Sequence, residues 1–359
     1  MLICGRGSDP HVGFQGPTDP LGTKAFETAV ELMKALVIGG SGHIGNAITR
    51  LLLDRNWEVT AGGRRPVPPL NLSGLPVNYV PGDAESPAQL ERWIAGHDLI
   101  VDAAAPYPLS IFFPGREPSR DPFVAAERRT RGLIEAVLKH GARLAYIGSF
   151  VTSVGAGRGA RGARSQMIKW TLPYFEVKQL IEGLLLDATR RGLLVALINP
   201  TYCLGPRDLH DRRVCTIPLL LSGEVPSSID QLLNVVDVRD VAAGLIAAID
   251  AERYGEPLLI AGHTIWTRDL YHLICEVGGV PAPKLATATN PAILGSFWAE
   301  VLFDTLGQQT PIISGGMMMA TAFDQLQPSK TTEELYIRPR PLPETVADAI
   351  RWYRAIGYC

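Results

Sequence analysis

The chain has 359 residues, 46% of them hydrophobic and 19% charged, with a formal net charge of −2. That length holds one large or two ordinary domains, the composition excludes intrinsic disorder, and the charge balance excludes the basic footprint of a nucleic-acid partner. The five cysteines are scattered and make no CxxC pair, so a reduced, cytoplasmic thiol set is expected rather than a disulfide framework or a zinc site.

Residues 1–32 begin rich in Gly, Pro and Asp, lack an apolar signal core, and turn helix-like from Lys24. Met33-Lys34 reads as a chain start, which makes 1–32 an N-terminal extension, expected to be mobile. No apolar run approaches the roughly 18 residues of a spanning helix, so no integral membrane segment is expected. Strand-like runs follow at Ala35–Ile38, Glu58–Ala61, Val77–Val80, Leu99–Ala103, Arg143–Gly148, Leu194–Asn199 and Leu258–Ala261. Helical patterns lie between them near Ile44–Arg55, Pro87–Ala95, Pro122–His140, Tyr174–Arg190 and Val241–Ala251. This alternation predicts an α/β fold, a Rossmann-type doubly wound parallel sheet with its ligand at the carboxyl ends of the strands.

The first strand runs into Gly39-Gly-Ser41-Gly42-His43-Ile44-Gly45, and a helix follows at once. Glycines at this spacing allow a tight turn and a close backbone approach to a pyrophosphate, which the free N–H groups of the helix start then stabilise. The second strand ends in Gly62-Gly63-Arg64-Arg65, where a site for NAD(H) would carry Asp or Glu for the ribose hydroxyl. Small residues followed by guanidinium groups favour NADP(H) instead, with NAD(H) as the alternative cofactor, Arg64 ahead of Arg65 as phosphate ligand, and a solvated loop as the competing reading. Asp83-Ala84 after the third strand suits the adenine amino group or an ordinary turn. Ala103-Ala104-Ala105 after the fourth suits either passage of the cofactor or close packing. The basic run Gly155–Arg164 reads as a solvated loop or a phosphate contact. Residues 33–200 are therefore expected to form the dinucleotide-binding domain, with 236–262 returning to it. Residues 201–359 are expected to form mainly the substrate domain.

Tyr174 and Lys178 share one face of a predicted helix, and Ser149 ends the fifth strand. A phenol with a pKa of about 10 is a weak acid at neutral pH, and a nearby ammonium lowers that value. This arrangement suits carbonyl chemistry. Tyr174 would exchange the proton, Lys178 would supply the charge and hold the nicotinamide ribose, and Ser149 would bond the substrate oxygen. Tyr174, Lys178 and Pro200, at the end of the sixth strand, also count among the expected cofactor contacts.

Together, Gly39–Gly45, Gly82-Asp83, Ser149, Tyr174/Lys178, Asn199-Pro200 through Gly205-Pro206, and Val235–Val241 resemble the extended short-chain dehydrogenase/reductases, which include the NAD-dependent epimerases and dehydratases. The resemblance runs from about Met33 to the C-terminus and implies a nicotinamide-dependent enzyme; only by analogy does it imply a homodimer. Three departures stand out. Asn199 replaces a frequent Arg, no Asn lies near Ala125–Glu127, and Gln231–Val236 lacks the cation that grips a sugar diphosphate. The apolar runs Ala292–Trp298, Val301–Phe303 and Pro311–Met319 are closer in character to the dihydroflavonol-reductase and 3β-hydroxysteroid-dehydrogenase branches, or are simply core. The expected function is NADP(H)-dependent reduction of a ketone, or oxidation of the alcohol, on a bulky hydrophobic small molecule. The alternatives are a nucleotide-sugar epimerase or dehydratase with retained NAD, and a non-catalytic cofactor-sensing protein.

Overall fold

A computed structural model describes residues 32–104, 122–154, 173–209, 215–225, 227–306 and 330–359. Residues 1–31, Ala105, the loop Gly155–Arg164 and the run Pro311–Met319 lie outside the described residues. Residues Leu32–Cys359 form one compact unit.

Seven parallel strands build the central sheet: β1 (Lys34–Ile38), β2 (Glu58–Gly63), β3 (Asn78–Pro81), β4 (Leu99–Asp102), β5 (Arg143–Ile147), β6 (Val195–Pro200) and β10 (Pro257–Ile260). Their spatial order is β10-β6-β5-β4-β1-β2-β3. The chain moves outward from β1 through β2 to β3, then returns to β4 and moves the other way. The reversal falls between β1 and β4, which leaves a crevice beyond their carboxyl ends.

The helices around the sheet are α1 (His43–Asp54), α2 (Pro87–Ile94), α3 (Pro122–His140), α4 (Phe150–Val154), α5 (Pro173–Thr189), α6 (Thr216–Leu221) and α7 (Val238–Asp250). Strand β1 shows why both faces must be covered. Ala35 and Val37 pack with Ile48 and Leu52 of α1 and Val241 and Leu245 of α7. Leu36 and Ile38 pack on the opposite face with Leu90 of α2, Leu133 of α3 and Val177 of α5. Successive side chains point to opposite faces, so an all-apolar strand needs helices on both sides. Helix α2 starts at Ser86, whose hydroxyl accepts from the Gln89 amide, with Pro87 at its first position.

Beyond Pro200 lie five further strands, β7 (Tyr202–Leu204), β8 (Ser227–Asp230), β9 (Leu232–Asp237), β11 (His263–Trp266) and β12 (Leu285–Ala288). They make two small sheets, β11-β9-β7 and β12-β8. Four more helices, α8 (Thr267–Gly278), α9 (Thr289–Thr305), α10 (Lys330–Glu334) and α11 (Leu342–Ala355), complete the described residues. Between β6 and β10, then, the chain runs through β9 of a small sheet and α7 of the central one.

Asp237 ties this region together. It caps α7 by accepting from the Arg239 amide at 2.8 Å, and it receives the Arg239 guanidinium and the Thr345 hydroxyl of α11 at 2.7 Å each. Burial pushes its carboxyl up, and the bonds from Arg239 and Thr345 more than offset this, so it stays below the usual carboxylate range. Arg239 also reaches Asp348 at 2.7 Å, and the Arg340 amide donates to Asp240 at 2.7 Å. Replacing Asp237 with Ala removes a cap and leaves the half-buried Arg239 guanidinium with Asp348 alone. The expected cost is about 3 kcal/mol of unfolding free energy, read from urea denaturation. A loss below about 1 kcal/mol would show that the cluster is not the tie described here.

Candidate active site

The turn after β1 leaves no space for a side chain at Gly39 or Gly45. Gly39 adopts φ 81°, and a Cβ there would stand 2.9 Å from that of Ala104. A Cβ at Gly45 would overlap the Gly39 carbonyl oxygen. The amide of Gly42 donates to that same oxygen at 2.8 Å. Helix α1 therefore begins directly against the strand. Its N-cap, Gly42, offers no side-chain hydrogen bond, and its first turn holds no acidic residue. The opening N–H groups are set for an external anion. Ser41, His43 and Ile44 lie on this turn. The Ser41 carbonyl accepts from Asn71 at 2.9 Å, and His43 lies 3.9 Å from Asp208.

The other expected cofactor residues follow the ends of the central strands. The Gly39 amide donates to the Gly62 carbonyl, and the Ala103 amide donates to that of Ile38, which brings the ends of β2 and β4 to the glycines. Arg64 and Arg65 follow β2 and are exposed. Asp83 follows β3, and its carboxylate accepts from the Glu85 amide at 2.9 Å, an ordinary turn contact, with Ala84 beside it. Pro200 ends β6, buried and paired with Ile260. The glycines that end β2 have a packing reason that the sequence did not reveal. A Cβ at Gly62 would press on the Trp93 ring at 3.3 Å, and one at Gly63 would meet the Tyr79 hydroxyl at 3.0 Å. Rings, rather than open space, stand behind them.

Helix α5 carries Tyr174 and Lys178, both buried. Tyr174 and Phe175 belong to the same apolar cluster as Phe150 and Val151, which follow Ser149 directly. The Lys178 ammonium lies 5.8 Å from the Tyr174 ring centroid and 5.7 Å from that of Tyr146. Burial pulls its pKa down to about 8, against the attraction of Asp102 and with the repulsion of Arg129. Asp102 ends β4, fully buried, and its carboxylate receives both terminal nitrogens of Arg129 from α3, at 2.7 and 2.8 Å. It also accepts from the Ala104 amide at 3.2 Å. Burial opposes the charge on Arg129, but Asp102 holds its pKa above the ordinary value. Tyr146, opposite Asp102 on β5, has a buried hydroxyl with no hydrogen-bond partner among the described residues. Burial, helped by the Asp102 charge, pushes that phenol up.

Ser149 is buried between β5 and α4. Its amide donates to the Asn199 side-chain oxygen at 3.1 Å. The Asn199 amide group donates onward to Thr152 and to Glu182, each at 2.9 Å, and the Thr152 hydroxyl lies 2.6 Å from the same Glu182 oxygen. Glu182 is one helical turn beyond Lys178, so Tyr174, Lys178 and Glu182 form a single row on α5. Through Asn199, Glu182 ties α5 to the Ser149 amide. Sequence reasoning passed over Asp102, Arg129, Thr152 and Glu182. The i, i+4, i+8 spacing would have revealed Glu182, and the lone carboxylate closing the apolar run Leu99–Asp102 was a second clue. Among the described residues, no group of three or more His, Cys, Asp or Glu could hold a metal ion.

The lysine leads to a pH-dependent prediction. Its folded pKa of about 8 lies below the unfolded value of 10.5, so the fold disfavours the ammonium. That penalty is complete below pH 8 and is relieved as pH rises toward 10.5, where the unfolded chain also loses the proton. Cofactor-free Lys178→Met should therefore be more stable than the parent in urea at pH 7, with a gap that narrows through this window. A gap independent of pH would contradict the assignment.

With this geometry in view, the chain can be set beside known proteins. The profile of the NAD dependent epimerase/dehydratase family matches residues 35–261. A protein of Synechocystis sp. that carries the name dihydroflavonol 4-reductase is 27% identical over 331 residues, covering 90% of this chain and 95% of its own. Sterol demethylase protein B of Methylococcus capsulatus is 27% identical over 339 residues, covering 90% and 99%. The crystal structure of Bordetella bronchiseptica WbmH in complex with NAD+ superposes with a TM-score of 0.66 at 19% identity, covering 91% of this chain and all of the other, a likeness of fold. No helix among the described residues is long and apolar enough to cross a membrane. The glycine turn at a topological switch point and the family profile that spans it agree: this chain belongs to the NAD-dependent epimerase/dehydratase family.

Proposed function

We propose that this protein is an NADP(H)-dependent oxidoreductase that interconverts a ketone and a secondary alcohol on a bulky hydrophobic small molecule. The observation that carries this reading is the buried row of Tyr174 and Lys178, bound through Glu182 and Asn199 to Ser149. The cradle fits a dinucleotide. No side chain could stand at Gly39 or Gly45, and the uncapped start of α1 points its donors into the same space. The residues that would hold the group are Gly39, Ser41, Gly42, His43, Ile44 and Gly45 at the pyrophosphate. Arg64 and Arg65 would lie at the 2′-phosphate, Asp83, Ala84, Ala103, Ala104 and Ala105 along the adenosine side, and Tyr174, Lys178 and Pro200 near the nicotinamide. When bound, the reduced cofactor supplies a hydride to the carbonyl carbon.

The chain's own residues then handle charge and protons. As negative charge grows on the substrate oxygen, the Ser149 hydroxyl donates to it. Tyr174 delivers the proton to that oxygen, or removes it in the oxidative direction. The phenolate left on Tyr174 faces a buried ammonium with no bulk water between them to weaken the attraction. Asp102, paired with Arg129, favours the charged form of Lys178 against the cost of burial.

Two findings favour an apolar ring-bearing substrate over a nucleotide sugar. The segment Gln231–Val236 offers no cation, and the side chain of Asn234 within it is committed to Gly262 and Thr264. Two of the curated relatives carry the names of enzymes of a dihydroflavonol and a sterol. Among the described residues, Cys203, Cys215, Cys275 and Cys359 form no disulfide, and a reducing, cytoplasmic setting is part of the proposal. The segment 201–359, apart from α7 and β10, is assigned to substrate binding.

Tyr174→Phe is expected to lower kcat by about 10²- to 10⁴-fold with a panel of aryl and sterol ketones while NADPH binding stays within a few-fold. Unchanged turnover would remove Tyr174 from the chemistry. NADPH should raise the melting temperature more than NADH at equal concentration. Purification with tightly retained NAD would instead support an epimerase or dehydratase.

A further inference from the structure

One ring beside the proposed cofactor site has no role in the chemistry above. Strands β2 and β3 pair in parallel, with Ala61 opposite Tyr79 and Gly63 opposite Pro81. From its place opposite Ala61, the Tyr79 side chain reaches along the sheet toward the strand ends. Its hydroxyl donates to the Arg65 carbonyl at 2.8 Å. It thereby arrives over Gly63. A Cβ built on Gly63 would stand 3.0 Å from the hydroxyl oxygen, 3.4 Å from Cε2 and 3.6 Å from Cζ. The first of these is closer than ordinary contact, and a carboxylate at this position would need still more room.

Gly63 is the last residue of β2, next to the glycine turn, from which an acidic side chain clasps the ribose diol in an NAD site. In this chain the phenol fills that place. The same hydrogen bond fixes the carbonyl of Arg65, and so the path of the backbone through Arg64 and Arg65. Both side chains are exposed, and neither pairs with a carboxylate among the described residues. An unpaired guanidinium on a fixed turn meets a phosphate at less entropic cost than one on a loose loop. Gly62 has a comparable neighbour in Trp93, but that ring packs behind the sheet with Leu36 and Leu90 and makes no bond to the arginine turn.

We propose that Tyr79 sets the cofactor selectivity of this site: its hydroxyl occupies the space an acidic ribose ligand at position 63 would need, and holds the Arg64–Arg65 turn toward a 2′-phosphate. This rests on the NADP(H) reading above. Selectivity here is then a two-part device, with exclusion on one side of the ring and positioning on the other.

The test measures dissociation constants for NADPH and NADH by quenching of protein fluorescence, using the full chain and its variants at fixed ionic strength. In the parent, NADPH should bind at least tenfold more tightly than NADH. Tyr79→Phe keeps the ring and loses the bond to Arg65. It should cut that preference about threefold, through weaker NADPH binding with NADH unchanged. Gly63→Asp alone should gain less than threefold for NADH, because the phenol stands in the way. Gly63→Asp combined with Tyr79→Ser should bind NADH at least tenfold more tightly than Gly63→Asp alone. If Gly63→Asp alone gains as much NADH affinity as the double variant, or if Tyr79→Phe leaves the preference unchanged, the assignment to Tyr79 is overturned. Should Gly63→Asp fail to fold, Tyr79→Phe decides by itself. A parent that binds both cofactors equally overturns the NADP(H) reading instead, and the coupling between positions 63 and 79 in NADH affinity still decides the role of the ring.

Discussion

Everything at the crevice depends on one steric constraint: helix α1 must start in contact with the end of β1. The carbonyl oxygen of Gly39 lies where the Cβ of any other residue at position 45 would be, and accepts the Gly42 amide. Pressing helix and strand together aims the first N–H groups of α1 out of the sheet rather than along it. The same contact brings in the neighbours on either side, since the Gly39 amide bonds the Gly62 carbonyl and Ile38 receives Ala103. A wider turn would still let the strands pair, but their ends would no longer converge on one point.

Charge is handled on the other side of the crevice by burial rather than exposure. Arg129 and Asp102 satisfy each other through two short parallel bonds and are almost fully withdrawn from water. A buried pair of this kind adds little net stability but is costly to break. It places a fixed dipole beside Lys178, whose ammonium would otherwise be alone among rings. Asn199 shows similar economy. Here a neutral amide serves, because its oxygen takes the Ser149 amide while its nitrogen reaches Glu182. One side chain thus satisfies both a donor and an acceptor.

Most strands of the large sheet were legible because they are runs of apolar residues between turn formers, buried on both faces; the edge strand β3 is a shorter run and only partly buried. The five further strands beyond Pro200 were not. His263–Trp266 and Leu285–Ala288 mix polar with apolar residues and hold their form only through partners far away in the chain. Tyr174, Lys178 and Ser149 could be read from spacing, and the structure sets them on one helix and the strand end beside it. Tyr79 and Trp93 could not, since their importance arises from register across the sheet, which no local pattern encodes. The glycines after β2 illustrate the limit. Their smallness was visible and suggested open space, whereas the rings packed against them supply a different cause.

The tie between Asp237 and Thr345 has a consequence for how the chain is made. The two residues are separated in sequence by 108 positions. Strand β9 and its capping carboxylate leave the ribosome long before the final helix can reach them. Throughout that interval the Asp237 carboxylate lacks its Thr345 partner, and the apolar surface destined for Val346 and Ile350 faces solvent. The nascent protein must therefore present α11 before this half can close, and the interval is one of exposure to chaperones and proteases.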